Sequence, residues 1–491
     1  VDENGLVNYA EIIGGEEVTC GDFECAVPLD SWSTGTGWSI SGGKASSDGS
    51  VSGNSYLINS QQTAVIGSTY RAEFTISNYT QGNVRVRAGN SSSPSFISSN
   101  GTYIIEMVAT GTEVCRVQAQ SNFIGSIDNV SVKEVTRDNV PRIDYTGGGC
   151  PHILAEPMRT NLIPYSEEIS QYSETNTTVI NNNTTSPDGT VNASKVTKDG
   201  ANANDRVYIN NFVILNATDY SLSVFIKNDD IVNGGVSTIS ARISGGTLFR
   251  QGYEWNGSTL SITSSQASGT RTNVLLEDYG NGWWKVGFSF TSDGTSADIE
   301  FDLDRINGTD TTSIFLWGTQ LEVGSYSTSY IPNFGTALGV TRNQDIFTRD
   351  GIGSLINSTE GVLFAEIAAL SNDGTNKRIS LSNGSNSYRI VISYSTSNNI
   401  QIFIVGAPAG TFAPSKSINI TLNSKIAVSW SSTEARFYVD GSPILVTSGD
   451  FSYTASTLSE LKTEDGAGGS PFYGKVKQLQ VYDTSLSDTQ L

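Results

Sequence analysis

The sequence predicts an all-β chain of three consecutive antiparallel β-sandwich (jelly-roll) domains joined by short extended junctions. The first observation is composition. Glycine accounts for 50 of 491 residues and charged residues for only 16%, while Ser, Thr and Asn crowd every stretch between short runs rich in Val, Ile, Phe and Tyr, as in strands whose inward apolar residues alternate with small polar ones. The second is length, which suits about three domains of roughly 100 to 200 residues, each able to bury its own core. The third is a recurring closing strand. FIGSIDNVSV at 123–132, FLWGTQLEV at 315–323 and FYGKVKQLQV at 472–481 each carry an aromatic, a nearby glycine and a final valine. A change of character follows each of them.

These strands set the boundaries. Residues 1–10 form an N-terminal strand, 11–135 a first sandwich, 136–160 a junction, 161–335 a second sandwich, 336–349 a linker and 350–491 a third sandwich. Within ADIEFDLDRI, Ile299, Phe301 and Leu303 point one way and Asp298, Glu300, Asp302 and Asp304 the other, as the two-residue period of a strand requires. IAVSWSSTEARFYVDGSPILV reads as two strands around an Asp440-Gly441 turn. Helical periodicity is nearly absent, and the best helix candidate is the tail SLSDTQL, capped by Ser485 or Ser487.

A formal net charge of −20 without a basic cluster argues against nucleic acid or an anionic membrane as partner, because phosphate binding rests on Lys and Arg. The target is neutral or is met through cations. No apolar run approaches the length of a membrane span, so no membrane insertion is expected. The chain opens on VDENGLVNYA without methionine, as a fragment or processed product would. Four cysteines in so long a chain do not make a disulfide scaffold. Cys20 and Cys25 are close enough to pair, and buried free thiols are an equal alternative for all four.

The stretch 138–168, DNVPRIDYTGGGCPHILAEPMRTNLIPYSEE, concentrates Cys150, a triple glycine, four prolines and the one histidine, His152. No Gly-x-Ser-x-Gly elbow or paired motif offers His152 a nucleophile, and a sole histidine cannot build a His-rich metal site. Its glycines and prolines suit a structural junction.

CGDFECAVPLDSWSTGTGWSISGGKA, closing with GSIDNVSVKEV, resembles the family 4/9 carbohydrate-binding modules. The resemblance implies a structural calcium between the opening turn and the closing strand, held by Glu24 and Asp128 with Asp22 as a further ligand; carboxylates from distant segments suit calcium. KIAVSWSSTEARFYVDGSPI with SPFYGKVKQLQVYDTSLSDTQL resembles the laminin-G-like, or concanavalin A-like, lectin fold. PRIDYTGGGCPHILAEPMRTNLIPYSEE, GNGWWKVGFSFTS, FLWGTQLEVGSYSTSYIP and TRNQD look like a module of tail-fibre and head-fibre proteins of tailed bacteriophages. In that family an ENGL segment runs almost directly into PRIDY. Here the first sandwich separates them, as an insertion whose flanking strands lie side by side. Glu300-Phe301-Asp302-Leu303-Asp304 resembles the paired-carboxylate strand of glycoside hydrolase family 16, with Asp304 one methylene short and the usual flanking residues absent.

Sugar contact calls for aromatic faces beside polar neighbours. Of the seven tryptophans, Trp32 and Trp38 in DSWSTGTGWS are the candidates for a binding rim, with Trp284 a third because its neighbour Trp283 must face the other way; Trp317 and Trp430 sit in apolar strands and read as core. The resulting expectation is a non-enzymatic virion fibre on a phage surface that attaches to host polysaccharide, contacts other virion proteins and, by resemblance, forms homo-oligomers such as trimers. A purely structural decoration or spacer protein is the alternative, followed by a polysaccharide-degrading tailspike.

Overall fold

The computed structural model describes all residues except 3–4, 8–11, 51–52, 92–95, 137–141, 147–149, 201–204, 265–266, 304–310, 336–338, 396–397 and 487–491, and omits the side chains of 60–62 and 114. Asp304 and most of the tail expected to be helical lie outside the described residues. The fold is all-β, with antiparallel ladders throughout its sheets and two short 3-10 turns, Pro28–Asp30 and Ile169–Gln171, among the described residues. The chain forms two compact units, Ala10–Val140 and the discontinuous Val1–Tyr9 with Pro141–Leu491.

The Ala10–Val140 unit is organised by two long strands, Thr69–Arg87 and Glu113–Thr136, which pair along most of their length. The first part of Glu113–Thr136 also pairs with Ser55–Thr63, and the later part with Lys44–Asp48 and Ile12–Glu16. One strand therefore serves both ends of the sheet. The switch falls at a break in register, where Ser121 and Asn122 adopt positive φ of 55° and 59°. Opposite them, Gly82 has φ +76, and a Cβ there would lie 2.4 Å from the Phe123 backbone, so only glycine lets the strands close at this bend. Alternation supplies the core: Val84, Val86 and Ala88 face Cys115, Val117 and Ala119, all fully buried.

The other unit holds two sandwiches. The middle one stacks two six-stranded sheets over a core that includes Tyr253, Trp255, Phe288, Ile299, Phe301 and Leu303. The C-terminal one has two seven-stranded sheets around Ile379, Ile392, Ile402, Trp430 and Phe437. Its predicted hairpin is present, with Val439 paired to Ser442 and both Asp440 and Gly441 at positive φ, the geometry that matches strand twist.

The stretch 138–168 has a more specific place than a connector. Ile143–Asp144 and His152–Ala155 form a hairpin, and His152–Ala155 then pairs with Gly474–Tyr482, adding two strands to one sheet of the C-terminal sandwich. Val1 lies alongside, its carbonyl accepting from Tyr145 N at 2.9 Å. Just beyond, a buried polar knot gathers chain-distant residues. Arg142 pairs with both Glu156 and Asp345, and Arg342 Nη1 lies 2.9 Å from Glu156 Oε2. Glu156 Oε1 accepts from Ser329 N at 2.9 Å. PRIDY, AEPMR, SYSTSYIP and TRNQD, the segments that carry the fibre-module resemblance, thus meet at one point.

Candidate functional site

Two expected sugar-binding residues are core residues instead. Trp32 is 1% exposed and Trp38 7%. Trp32 packs 5.1 Å from Phe23 and donates its indole N–H to the Cys20 carbonyl at 2.8 Å; Trp38 packs against Phe123. The small residues around them sit on alternate positions, so Ser33 and Ser39 take the solvent side and the rings turn inward. A domain of this size needs its largest rings to fill the core. Trp284 is half-buried against the middle core, with its indole N–H given to the Ser258 carbonyl at 2.9 Å, while Trp283 belongs to a separate cluster with Phe225 and Trp317.

At the expected calcium site the opening turn and closing strand do meet. Val130 N donates to the Gly21 carbonyl at 2.9 Å, and a Cβ on Gly21 would fall 1.8 Å from the Val130 oxygen. Cys20 and Cys25 form a disulfide within that turn. Asp22 accepts from Glu24 N and Asp128 from Asn129 N, and among the described residues no three His, Cys, Asp or Glu side chains gather into a metal-holding group. Cys115 is a buried free thiol, its pKa pushed far up by burial, and Cys150 is exposed.

His152 is buried, with Nε2 3.1 Å from Asp144 Oδ2 on the neighbouring strand. The fold thus supplies a carboxylate partner that no motif announced. Burial opposes charge on Asp144, but hydrogen bonds from His152, the chain's first amino group and Thr146 outweigh it and hold the carboxyl well below the usual range.

The paired-carboxylate strand Ser296–Asp302 turns Ile299 and Phe301 into the core, and Leu303 just past its end follows them, as the alternation predicts. Its other face is not the solvated one that a run of acids implies. The Glu300 side chain is fully buried under three guanidiniums: Arg206 Nη1 at 3.2 Å, Arg242 Nε at 3.0 Å and Arg250 Nη2 at 3.3 Å. Asp302 accepts from Thr238 Oγ1 at 2.5 Å and lies 3.8 Å from Arg250.

What the three sandwiches share is an arginine laid over an aromatic ring on the outer face of one sheet. In the Ala10–Val140 unit, cross-strand rows set Tyr56 beside Gln118 and Arg85, and Ile58 beside Arg116 and Arg87. Arg116 lies 4.7 Å over the Tyr56 ring and Arg85 4.3 Å over Phe96, with Arg85 Nε donating to Gln118 Oε1 at 3.0 Å. Burial, and then the adjacent Arg87 charge, depress the Arg85 pKa. In the middle sandwich Arg206 lies 5.0 Å over Tyr208. In the C-terminal sandwich Arg378 lies 5.6 Å from the Phe403 ring centre, and Asp465, from a loop over that sheet, stands 3.3 Å from Arg378 and 4.0 Å from Arg389.

Each face sets guanidinium N–H donors over an aromatic ring, donors that a sugar's hydroxyl oxygens can meet at the sheet surface. A search for tryptophans passes over these residues. The available signal was the alternation in RVR (85–87) and CRVQ (115–118), which places Arg and Gln on the face opposite the core.

No curated protein matches the chain. Among solved structures, similarity extends to the CBM40 of the Ruminococcus gnavus IT-sialidase bound to alpha2,3 sialyllactose (12% identity, 30% of this chain and 96% of that one, TM-score 0.26). Domains LG4-5 of the mouse laminin alpha1 chain are also similar (11% identity, 59% and 90%, TM-score 0.21), as is the CBM22-1-CBM22-2 tandem of Paenibacillus barcinonensis Xyn10C (9% identity, 65% and 100%, TM-score 0.22). The C-terminal part of the chain, residues 365–491, matches the family model described as the Concanavalin A-like lectin/glucanases superfamily.

Proposed function

We propose that this protein binds glycans through the outer sheet faces of its lectin-like sandwiches without cutting them, and that it serves as a virion-surface appendage through which a tailed bacteriophage attaches to host polysaccharide. The observation that carries the glycan reading is the lectin-superfamily match at 365–491, on a chain whose sandwiches each present a ring and guanidinium on an outer face. The virion setting rests on the fibre-module segments alone. Non-enzymatic action is favoured by Glu300, whose two oxygens are both engaged by arginines, which leaves it poorly placed to attack or protonate a glycosidic bond.

Single faces are shallow, so each site is weak and useful attachment comes from many copies on one particle. Multivalent display of the protein should retain host cells far better than the monomer. Tyr56→Ala should weaken glycan binding by the first unit roughly five-fold, the loss of about 1 kcal/mol of ring contact, with its melting temperature unchanged. Host polysaccharide should keep its chain length on long incubation. Shortened chains, with cleavage lost in Glu300→Gln, would establish a hydrolase instead; no retention of any host surface, even when multivalent, would leave a structural spacer.

A further inference from the structure

We infer that the outer face of the middle sandwich around Glu300 is a second glycan site, selective for sugars that carry a carboxylate. This rests on the glycan-binding reading and adds a ligand class to it. The face is built from cross-strand rows, with Tyr208, Glu300, Ser240 and Arg250 side by side in one and Arg206, Asp302 and Thr238 in or next to the following one. Glu300 is fully buried beneath the arginines, whereas the side chains of Arg206 and Arg242 are 26% and 40% exposed.

A ligand arriving from solvent therefore meets guanidinium N–H groups and the half-buried Tyr208 ring under Arg206. It does not meet the Glu300 oxygens. The neighbouring carboxylates are engaged as well: Asp298 accepts from Asn211 N at 2.8 Å and Asp302 from Thr238. Arg250 is fixed from below, its Nε donating to Ser240 Oγ at 2.8 Å.

Burying an ion cluster of this kind costs desolvation and does not stabilise a sheet face better than apolar residues of similar volume would. What it does provide is two arginines held in place by one carboxylate, with their outer edges free of rotamer disorder. Such edges match the planar, doubly accepting carboxylate of a uronic or sialic acid, while a neutral sugar offers only single hydroxyl acceptors. On a chain with 29 basic residues against 49 acidic ones, this point gathers three guanidiniums with Glu300, Asp298 and Asp302, so what sets it apart is its solvent-facing N–H edges and not an excess of positive charge.

The test uses the full chain and titrates a galacturonate hexamer and a sialic acid tetramer, each against its methyl ester, which removes the charge and keeps the ring. At least one acid should bind ten-fold or more tighter than its ester, and the preference should shrink as salt rises from about 50 to about 200 mM. Arg206→Gln and Arg242→Gln should each erase it, whereas Arg378→Gln on the C-terminal sandwich should not. Because Glu300 keeps two arginine partners in either variant, both should fold, as their melting curves will report. Acid and ester binding alike, or an acid preference that survives both variants, would overturn this inference and leave glycan binding standing; failure of the chain to bind any glycan would overturn both.

Discussion

Trp32 and Glu156 show how a single residue's role is set by what surrounds it. Trp32 looks like a binding residue in sequence because its neighbours are small and polar, yet those neighbours make room for the ring to turn inward. Trp32→Ala should lower the stability of the Ala10–Val140 unit by roughly 3 to 5 kcal/mol, the range for emptying a buried aromatic site, and a denaturant titration of that unit will read it. Loss of glycan binding without loss of stability would contradict the core assignment. At Glu156, burial opposes the charge, but Arg342 and Arg142 outweigh it and bring the pKa down to about 2. A carboxyl depressed in the folded state contributes stability above its unfolded pKa, and that contribution is lost as pH falls toward the folded value. The larger unit should therefore lose up to roughly 3 kcal/mol between about pH 4.5 and pH 2 from this group. Asp345 returns part of it, since burial outweighs Arg142 there and raises its pKa. Glu156→Gln should remove most of this acid sensitivity and destabilise the unit by roughly 3 to 5 kcal/mol at neutral pH, because buried guanidiniums are left uncompensated. Melting curves across that pH range will separate the two effects.

At the scale of elements, the opening turn of the Ala10–Val140 unit is closed on itself by the Cys20–Cys25 disulfide and joined to the closing strand by the Val130–Gly21 hydrogen bond. Calcium bound there would add RT ln(1 + [L]/Kd), about 2.7 kcal/mol at a hundred-fold excess over Kd. On that expectation chelation lowers the melting temperature of the isolated unit and Asp128→Ala abolishes the sensitivity; an identical melt with and without chelator would assign the clamp to the hydrogen bonding between turn and strand alone. The hairpin of Ile143–Asp144 and His152–Ala155 carries a related lesson. Two short strands without a long apolar run look like punctuation in a sequence, because their partner, Gly474–Tyr482, lies more than three hundred residues away. Short strands gain their stability from the sheet they join.

For the whole molecule, the discontinuous unit makes a firm prediction. The first and last strands of the Ala10–Val140 unit pair directly, Ile12 with Thr136 and Ile13 with Val135, so its ends leave side by side. Replacing residues 10–140 by a short Gly/Ser linker should leave the remaining unit folded, with its thermal transition within a few degrees of that in the full chain, and the excised unit should fold alone. A remaining chain that loses its cooperative transition would show that the first unit is required for the second to fold. The polar knot of Arg142, Glu156, Arg342 and Asp345 also bears on proteolysis. Both segments expected to be exposed connectors contribute to it, so early cleavage there should be slower than open linkers would allow.

Fold class followed from local sequence, because the two-residue alternation that makes Ile299, Phe301 and Leu303 apolar and their neighbours acidic is a property of adjacent residues. The Asp440-Gly441 turn and the position of Trp283 opposite Trp284 were legible for the same reason. Tertiary structure alone decided which polar residues come together. Arg206, Arg242 and Arg250 meet Glu300, and Arg142 and Arg342 meet Glu156, only through cross-strand register between chain-distant strands, and register is fixed by the burial of whole sheet faces and not by any one stretch of sequence.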